Sequence, residues 1–476
     1  MIPSQGGPGA GGAKDGDRGG SASSGAMIPG AWREPGGEVA VIGLMRSGRA
    51  AAELLRRQGV AVYASDAADG PAVRETAAAL RALGCAAETG GHDLARLARC
   101  RAVVASPGVP PGAAPLAAAR AAGVPVLAEL ELGARCLPDT RLVVVTGTKG
   151  KSTTTACIAH LLRGAGLSDA AAAGNIGNPI TAVALAATPP RWLAVEASSF
   201  QLHDAPTLAP AVGVLTNLSP DHLDRYGTAE AYYADKALLF RNAVAASRWV
   251  VNGDDAAATA MAAPAAGAHE AFSLERRAAA AWYDRAAEWL VLRGTPLIRR
   301  AELQLLGDHN VANALAAALA VPADVDCERL REGLASFRAL PHRLEPVREL
   351  DGVLWINDSK ATILSAVAVA LASVPRPVVL LLGGRPKVDS FAPLRPHLGA
   401  VRAVVAYGEA APLIERDLAG ATALVRGGDF NDVLARARAL ARPGDAVLLA
   451  PACTSFDMFD NAEQRGREFR AVVEAW

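Results

Sequence analysis

The sequence predicts an α/β protein built from parallel sheets. Short runs rich in Val, Leu and Ile alternate with Ala-, Leu- and Arg-rich helical stretches along most of the chain. Apolar runs of this length between helices are typical of parallel strands covered on both faces. The predicted strands span residues 39–44, 60–65, 102–105, 126–127, 142–146, 192–196, 212–216, 249–252, 353–357, 378–382, 403–406 and 446–449.

Two seams divide these elements into domains. One lies near residue 137, just before a new strand, and the other near residue 340, after an Ala-rich helix. The chain of 476 residues also exceeds the size that one hydrophobic core usually organises. We therefore expect three domains, at residues 38–137, 138–340 and 341–476.

The first 37 residues differ in composition from the rest. They consist mainly of Gly, Ser, Ala and Pro with almost no large apolar side chain. Such a segment cannot bury enough surface to offset its chain entropy, so we expect a disordered tail at residues 1–37. The motif Met-Ile-Pro occurs at Met1 and again at Met27, which makes Met27 an alternative start.

The balance of charges and the spacing of the cysteines limit the classes of protein that are compatible with the sequence. Lys plus Arg and Asp plus Glu both number 48, so no global charge draws the chain to nucleic acid or anionic lipid. The six cysteines are scattered without a C-x-x-C pair, as is typical of buried thiols in a reducing compartment. Neither a membrane span nor a secretory signal is recognisable. We expect a cytoplasmic protein that acts on a small molecule.

The strongest chemical signal follows the strand at 142–146. The sequence G-T-K-G-K-S-T occupies residues 147–153 and leads into a predicted helix. Backbone N–H groups of such a turn, with the positive end of a helix, bind polyphosphate oxygens, while the lysine meets the β- and γ-phosphates and a hydroxyl coordinates Mg²⁺. An ordinary glycine turn is the alternative, and the order of strand, Gly-Lys-Ser and helix favours phosphate. The predicted ATP contacts here are Gly147, Thr148, Lys149, Gly150, Lys151, Ser152 and Thr153.

Three ionisable residues follow this loop. Glu196 ends a predicted strand, at the edge of a parallel sheet where nucleotides bind, and a carboxylate there suits Mg²⁺. His222 lies in a polar segment after the next strand, and Lys236 comes fourteen residues later. Each residue alone is compatible with a structural role. Their coincidence after a phosphate loop favours a shared catalytic site.

Eight motifs together resemble the Mur ligase superfamily. They are T-G-T-K-G-K-S-T at 146–153, G-N-I-G at 174–177, E-A-S-S-F-Q-L at 196–202, D-H-L-D-R-Y at 221–226, G-D-H-N-V-A-N-A at 307–314, L-P-H-R-L-E at 340–345, N-D-S-K-A-T at 357–362 and P-A-C-T-S-F-D-M-F at 451–459. The resemblance covers about residues 38–476. It implies a central P-loop ATPase-like α/β domain between Rossmann-like N-terminal and C-terminal domains.

The resemblance also implies roles for individual residues. Ser152 and Glu196 would hold one Mg²⁺ and His222 a second. Lys236 matches the family lysine that CO₂ carbamylates, which converts a cation into a carboxylate-like ligand for the second ion. The other implied contacts are Asn310, Arg343 and Asp358 with ATP, Asn175 with the muramoyl substrate, and Thr362, Lys387 and Ser455 with the carboxylates of an incoming glutamate.

The first domain opens with a partial dinucleotide fingerprint. Met45 stands where a second glycine is expected, and Asp66 ends the next predicted strand, as an acidic ribose partner does. Alone, this pattern is compatible with NAD binding. The resemblance instead implies that the surface binds UDP, through Arg46, Ser47, Asp66 and Ser106.

The activity implied by the resemblance is ATP-dependent ligation of D-glutamate to UDP-N-acetylmuramoyl-L-alanine, through an acyl phosphate, in peptidoglycan precursor synthesis. We expect a monomer that uses two Mg²⁺ ions. Ala462 stands where family members often carry an aromatic residue, and Ile363 where Asn is common. Both positions leave open a sister ligase that uses L-glutamate or another acceptor, or a folate polyglutamate ligase. A dehydrogenase and a non-catalytic nucleotide-binding protein are the remaining alternatives.

Overall fold

The structure, a computed structural model, describes residues 28–476. Each of three successive parts of the chain builds its own sheet, with helices packed on both faces. The fold class predicted from the sequence is confirmed. No helix in the described range combines the length and hydropathy needed to cross a membrane.

The first part forms a five-stranded parallel sheet in the order β3-β2-β1-β4-β5. Its strands are β1 (Val39–Ile42), β2 (Val62–Asp66), β3 (Ala86–Thr89), β4 (Ala102–Ala105) and β5 (Val126–Ala128), and its helices are α1 (Arg46–Arg57), α2 (Pro71–Ala82), α3 (Leu94–Leu97), α4 (Ala114–Ala121) and α5 (Glu129–Arg135).

The middle part forms a nine-stranded sheet in the order β14-β13-β12-β11-β10-β9-β6-β8-β7. The strands are β6 (Arg141–Thr146), β7 (Ala171–Gly174), β8 (Trp192–Glu196), β9 (Val212–Leu215), β10 (Arg248–Asn252), β11 (Ala268–Ser273), β12 (Ala281–Asp284), β13 (Trp289–Leu292) and β14 (Thr295–Arg299). The helices are α6 (Lys151–Gly164), α7 (Ile180–Ala184), α8 (Ser199–His203), α9 (Leu223–Tyr226), α10 (Ala229–Ala237), α11 (Ala256–Ala262), α12 (Asp308–Ala320) and α13 (Cys327–Ser336).

The last part forms a six-stranded sheet in the order β15-β16-β20-β17-β18-β19. The strands are β15 (Glu345–Leu350), β16 (Val353–Asn357), β17 (Val378–Gly383), β18 (Val401–Tyr407), β19 (Ala423–Arg426) and β20 (Ala446–Ala452). The helices are α14 (Leu364–Ala372), α15 (Ala411–Leu418), α16 (Phe430–Leu440) and α17 (Ala462–Ala475). The described residues also form four 3₁₀ segments, at Gly30–Arg33, Leu238–Phe240, Arg300–Glu302 and Ala392–His397.

All twelve predicted strands form, and the sheets are parallel except at two edges. Strands β12, β13 and β14 pair antiparallel at one edge of the middle sheet, and β15 pairs antiparallel with β16 at one edge of the last sheet. The expectation of purely parallel sheets is therefore wrong at these edges. A short turn is enough to connect two antiparallel strands, whereas two parallel strands need a longer crossover connection, usually a helix.

The start of the described chain corrects the predicted tail. Residues 1–27, including the alternative start at Met27, lie outside the described residues. Ile28 and Trp32 are only 5% and 6% exposed and pack with the core of the first sheet. The prediction of disorder through residue 37 is therefore wrong for residues 28–37, because these two apolar side chains bury enough surface to hold the segment.

Candidate active site

The phosphate loop connects the end of β6 at Thr146 to the start of α6 at Lys151. Gly147 and Gly150 have φ values of 141° and 83°. A Cβ atom would lie 2.0 Å from Thr216 Oγ1 at Gly147, and 2.3 Å from Asn313 Oδ1 at Gly150. Both the backbone conformation and the close neighbours therefore require glycine.

The segment after β9 holds this loop in place. Thr148 N donates to the Asn217 carbonyl at 2.9 Å, and Lys149 N donates to Asn217 Oδ1 at 2.9 Å. Thr216 Oγ1 donates to the Lys149 carbonyl at 2.6 Å. In the part of the chain that the structure describes, no side chain caps the N-terminus of α6 at Gly150. The first N–H groups of this fourteen-residue helix therefore point out of a fixed loop, as an anion site requires.

Lys151 folds back over the loop. Its Nζ donates to the carbonyls of Gly147 and Thr148 at 3.0 and 2.8 Å. Burial lowers the pKa of Lys151, and the nearby carboxylate of Glu196 opposes that shift. A long side chain held only by carbonyls of its own loop can turn to an arriving phosphate without breaking a contact between elements.

Glu196 lies at the end of β8 with one oxygen unpaired. The side chain is 2% exposed, and Oε1 accepts a hydrogen bond from Asn175 Nδ2 at 3.0 Å. Its Oε2 is buried without a hydrogen-bond partner among residues 28–476. Since an unpartnered buried carboxylate oxygen is costly, this atom is suited to a cation. Asn175 and Glu196, predicted separately, are thus in direct contact.

Lys236, on α10, is buried against the phosphate loop. It is 1% exposed, and its Nζ donates to the Gly147 carbonyl at 2.7 Å. The Tyr232 ring lies beneath the amine, 4.5 Å from ring centroid to Nζ. Burial, and next the charge of Lys151, lower the pKa of Lys236 to about 7. A substantial fraction of this amine is therefore uncharged near neutral pH and able to act as a nucleophile.

His222 precedes α9 in a left-handed backbone conformation, with φ of 54°. Its ring packs edge-on against Phe200 and Tyr232, with centroids 5.5 and 6.0 Å apart. Across residues 28–476, neither ring nitrogen takes part in a hydrogen bond, so both remain available as ligands.

The described residues contain no cluster of three or more His, Cys, Asp and Glu side chains arranged to hold a metal ion. The predicted metal set, Ser152, Glu196, His222 and Lys236, includes only two residues of those types. Mg²⁺ is commonly held by one or two carboxylates together with substrate phosphates and water. A hydroxyl, a carboxylate with a free oxygen, a free imidazole and a modifiable amine fit that kind of partial site.

The predicted nucleotide contacts lie on both sides of the seam between the second and third sheets. Arg343 Nη2 donates to Ser152 Oγ at 3.2 Å, and Lys149 Nζ donates to Ser365 Oγ at 3.4 Å. Asp358 is buried and accepts a hydrogen bond from the backbone of Leu344 at 3.2 Å. Burial raises the pKa of Asp358 to about 6. Arg343 thus contacts the start of α6, and Lys149 links the phosphate loop to Ser365.

Asn310, also a predicted ATP contact, is linked to the phosphate loop through Asn313, which was not among the predicted contacts. Asn313 Nδ2 donates to Asn310 Oδ1 at 3.0 Å, and Asn313 Oδ1 accepts from Thr154 Oγ1 at 3.2 Å. The same Asn313 oxygen lies against Gly150. The spacing of three residues on α12 is the signal that could have identified Asn313, since it places both amides on one helix face.

The three predicted glutamate contacts follow strands of the third sheet. Lys387 Nζ donates to Thr362 Oγ1 at 3.2 Å. Ser455, just after β20, is only 2% exposed. The structure therefore joins Thr362 to Lys387 directly, and places Ser455 at the same edge of the sheet.

The predicted UDP contacts divide into two groups. Arg46 reaches the middle part of the chain, where its guanidinium donates to the Gly177 carbonyl at 2.6 Å, and Ser47 follows it on α1. Asp66 accepts from the backbone of Leu44 at 2.7 Å, and Ser106 Oγ donates to the Gly43 carbonyl at 2.8 Å. Asp66 and Ser106 thus hold the turn after β1, whereas Arg46 bridges to the G-N-I-G segment.

A phosphate loop in the middle one of three α/β units, with side chains of the last unit packed against it, is typical of a nucleotide-binding enzyme of several domains. Residues 37–128 match the Mur ligase MurD-like N-terminal domain, 145–321 the Mur ligase middle domain and 342–453 the Mur ligase glutamate ligase domain. The chain belongs to the Mur ligase family, which confirms the resemblance of its motifs.

Known relatives are similar over almost their whole length. The UDP-N-acetylmuramoylalanine–D-glutamate ligase of Acidobacterium capsulatum is 40% identical over 449 residues, which cover 92% of this chain and 96% of that protein. The ligase of the same name from Myxococcus xanthus is 42% identical over 454 residues, covering 92% and 98%. The solved UDP-N-acetylmuramate–alanine ligase of Thermotoga maritima has a TM-score of 0.60 at 18% identity, covering 92% of this chain and 99% of that one. That likeness concerns the fold alone.

Proposed function

We propose that this protein ligates D-glutamate to UDP-N-acetylmuramoyl-L-alanine, with cleavage of ATP to ADP and phosphate, in peptidoglycan precursor synthesis. The observation that carries the proposal is the meeting of Lys151, Lys236 and Glu196 around the fixed loop at Gly147. The similarity to D-glutamate ligases along all three parts of the chain supports the choice of substrates. Action in the cytoplasm, as a monomer, is part of the proposal.

The proposal divides the substrates among the three predicted domains. Residues 38–137 bind the UDP-linked substrate, residues 138–340 bind ATP, and residues 341–476 bind the amino acid. Arg46, Ser47, Asp66, Ser106 and Asn175 serve the first substrate, and Asn310, Arg343 and Asp358 support ATP. Thr362, Lys387 and Ser455 serve the amino acid, because hydroxyls and an ammonium group are suited to two carboxylates.

The side chains around the loop have the donor chemistry to hold two Mg²⁺ ions. Ser152 Oγ and the unpaired Oε2 of Glu196 would hold one ion. His222 and a carbamylated Lys236 would hold the other, since carbamylation converts the buried amine into an anionic oxygen ligand. The ions supply positive charge that offsets the charge of the phosphates.

In the first step, a carboxylate oxygen of the alanine attacks the γ-phosphorus of ATP, and the bond to the bridging oxygen of ADP breaks. The product is an acyl phosphate. Lys151 and the N–H groups at the start of α6 stabilise charge on the transferred phosphoryl group, because such transfer depends on positioning and electrostatics.

In the second step, the uncharged amine of glutamate attacks the acyl carbon. The tetrahedral intermediate collapses, the C–O bond to phosphate breaks, and the proton that the nitrogen loses as the amide forms is taken up by the departing phosphate. The Arg343–Ser152 contact brings the third part of the chain against the loop. That approach helps to exclude the water that would hydrolyse the acyl phosphate.

A second candidate is a sister ligase with a different acceptor, such as L-glutamate. Two positions near the proposed acceptor contacts favour testing it, because Ile363 is 42% exposed directly after Thr362 and Ala462 replaces a common aromatic residue. A folate polyglutamate ligase, which would add glutamate to folate in place of the UDP-linked substrate, is the other alternative of this class.

The deciding experiment supplies purified protein with ATP, Mg²⁺ and UDP-N-acetylmuramoyl-L-alanine, and offers D-glutamate, L-glutamate or other amino acids in parallel. We expect ADP release and a product of the ligated mass only with D-glutamate. Lys151→Ala protein is the control for contaminating ATPases. Turnover with L-glutamate but not D-glutamate would replace the proposal with the second candidate.

A further inference from the structure

Arg465, on α17, is a fully buried arginine whose hydrogen bonds go to two loops. It is 0% exposed. Nε donates to Ser359 Oγ at 2.9 Å, and Nη2 donates to the Ser359 carbonyl at 3.0 Å. Further bonds run from Nη2 to the Cys453 carbonyl at 3.2 Å and from Nη1 to the Thr454 carbonyl at 3.3 Å. One planar guanidinium thus fixes the backbone after β16 relative to the backbone after β20.

A third loop is attached to the same point. Arg385 and Thr454 exchange two backbone hydrogen bonds of 3.0 Å, so the segment after β17 is joined to the segment after β20. Gly384 makes this approach possible, because a Cβ there would lie 2.2 Å from the Thr454 carbonyl and 3.2 Å from Arg465 Nη1. Arg465 therefore lies behind the junction of three loops.

Each of these loops carries one proposed acceptor contact. Thr362 lies three residues after Ser359, Ser455 directly follows Thr454, and Lys387 lies two residues after Arg385. The 3.2 Å hydrogen bond between Lys387 Nζ and Thr362 Oγ1 closes the group. The buried guanidinium holds the loops of Thr362 and Ser455 directly, and the loop of Lys387 is joined to them through the backbone pair of Arg385 and Thr454.

The charge of Arg465 is also not paired with an acid. In residues 28–476, its hydrogen bonds go to carbonyls and one hydroxyl, and no carboxylate forms an ion pair with it. Carbonyl dipoles satisfy the N–H groups but leave the net positive charge in place. That charge favours binding of an anion at the neighbouring loops.

We propose that Arg465 is a positioning residue for the amino-acid acceptor, which fixes the three loops and adds positive charge behind them. This inference rests on the proposed ligase function. A lysine at this position keeps the charge but cannot donate to both loops in one plane, because only arginine provides a rigid fork of donors.

The test compares Arg465→Lys with wild-type protein in steady-state ligation. The expected result is a KM for D-glutamate raised about tenfold, with the KM values for ATP and the UDP-linked substrate changed less than about twofold. Arg467→Lys is the matched control, because Arg467 is an exposed arginine of the same helix. It should leave all three KM values unchanged.

A purely structural role predicts a different pattern. If all three KM values rise together, or if only the melting temperature falls, the proposal is wrong. Ser359→Ala provides a milder variant should Arg465→Lys fail to fold, since it removes the hydroxyl that accepts from Nε and donates to the Ala462 carbonyl. The same selective rise in the KM for D-glutamate is expected from it, and no rise would overturn the proposal. A wild-type protein that ligates no glutamate would instead overturn the proposed function.

Discussion

Lys236 and Lys151 donate hydrogen bonds to the same acceptor, the carbonyl oxygen of Gly147, at 2.7 and 3.0 Å. Lys236 is buried and Lys151 half-buried, so two full charges at this point would repel each other in a poorly solvated site. Burial and the proximity of Lys151 lower the pKa of Lys236 to about 7. The loop that binds phosphate thereby also prepares an uncharged amine next to it.

This relationship predicts pH-dependent reaction of Lys236 with CO₂. The amine is protonated below its pKa and free above it, so carbamate formation should rise as the pH passes through about 7. The measurement is ¹³C NMR of the protein in labelled bicarbonate. A carbamate signal that persists in Lys236→Ala protein, or that is absent from the wild type at alkaline pH, would contradict the assignment.

Replacement of Lys236 should remove activity in a way that a small carboxylate can repair. Lys236→Ala is expected to reduce kcat by about 10²-fold or more, because one preorganised group at the phosphates is lost. Added acetate should restore part of the rate by occupying the vacated space with an anionic oxygen. Lys151→Ala serves as the control, since acetate cannot replace a cation. Near-normal turnover of Lys236→Ala protein would contradict the proposal of a second metal site that includes Lys236.

The two lysines of the phosphate loop, Lys149 and Lys151, should differ in their importance for catalysis. Lys151→Ala should lower kcat by about 10²- to 10³-fold, because Lys151 supplies charge to the transferred phosphoryl group. Lys149→Ala should lower it far less, since Lys149 is exposed and its Nζ reaches only Ser365 at 3.4 Å. Rates of ADP release with all substrates present measure both. Equal losses of kcat in the two variants would contradict the proposed role of Lys151 in stabilising the transferred phosphoryl group.

The buried carboxyl of Glu129, on α5, should make the stability of the folded protein depend on pH, independently of catalysis. The carboxyl is 1% exposed, and Oε1 accepts from Thr181 N and Oγ1 at 2.7 and 2.6 Å, while Oε2 has no hydrogen-bond partner within the described range. Burial raises the pKa of Glu129 from 4.5 to about 6. The folded protein therefore binds more protons than the unfolded chain between these values, and this group costs stability as the pH rises through them.

Glu129→Gln keeps the acceptor oxygen but does not titrate. Relative to wild type, its free energy of unfolding should increase by about 1 kcal/mol between roughly pH 5 and pH 8. Urea unfolding at the two pH values measures the difference. A difference that does not change with pH would contradict the burial of an ionised carboxylate.

The sequence predicted the strands that are buried apolar runs and missed several that are only partly buried. Strands β6, β8 and β17 are buried along nearly their whole length, so they appear as continuous apolar runs. Strands β3 and β19 are only partly buried edge strands, and β11 begins with exposed residues. Without a continuous run or a regular alternation, no periodic signal distinguishes them from loops.

The site was predictable where chain order carries the chemistry, as in the phosphate loop and Glu196. It was not predictable where distant segments meet. The sequence could not show that Asn313 packs on Gly150, or that Arg465 donates hydrogen bonds to two separate loops. Such contacts depend on tertiary packing between elements more than one hundred residues apart, for which single-residue patterns contain no signal.

The central claim is that ATP phosphates bind the loop at residues 147–151, with Mg²⁺ held by the surrounding side chains. The most direct measurement is a crystal structure with ADP and Mg²⁺. It should show phosphate oxygens at the N-terminus of α6, Lys151 turned from the Gly147 carbonyl to the phosphates, and an ion between Ser152 and Glu196. A well-ordered structure with nucleotide bound elsewhere, or with that loop empty at saturating ADP, would contradict the account.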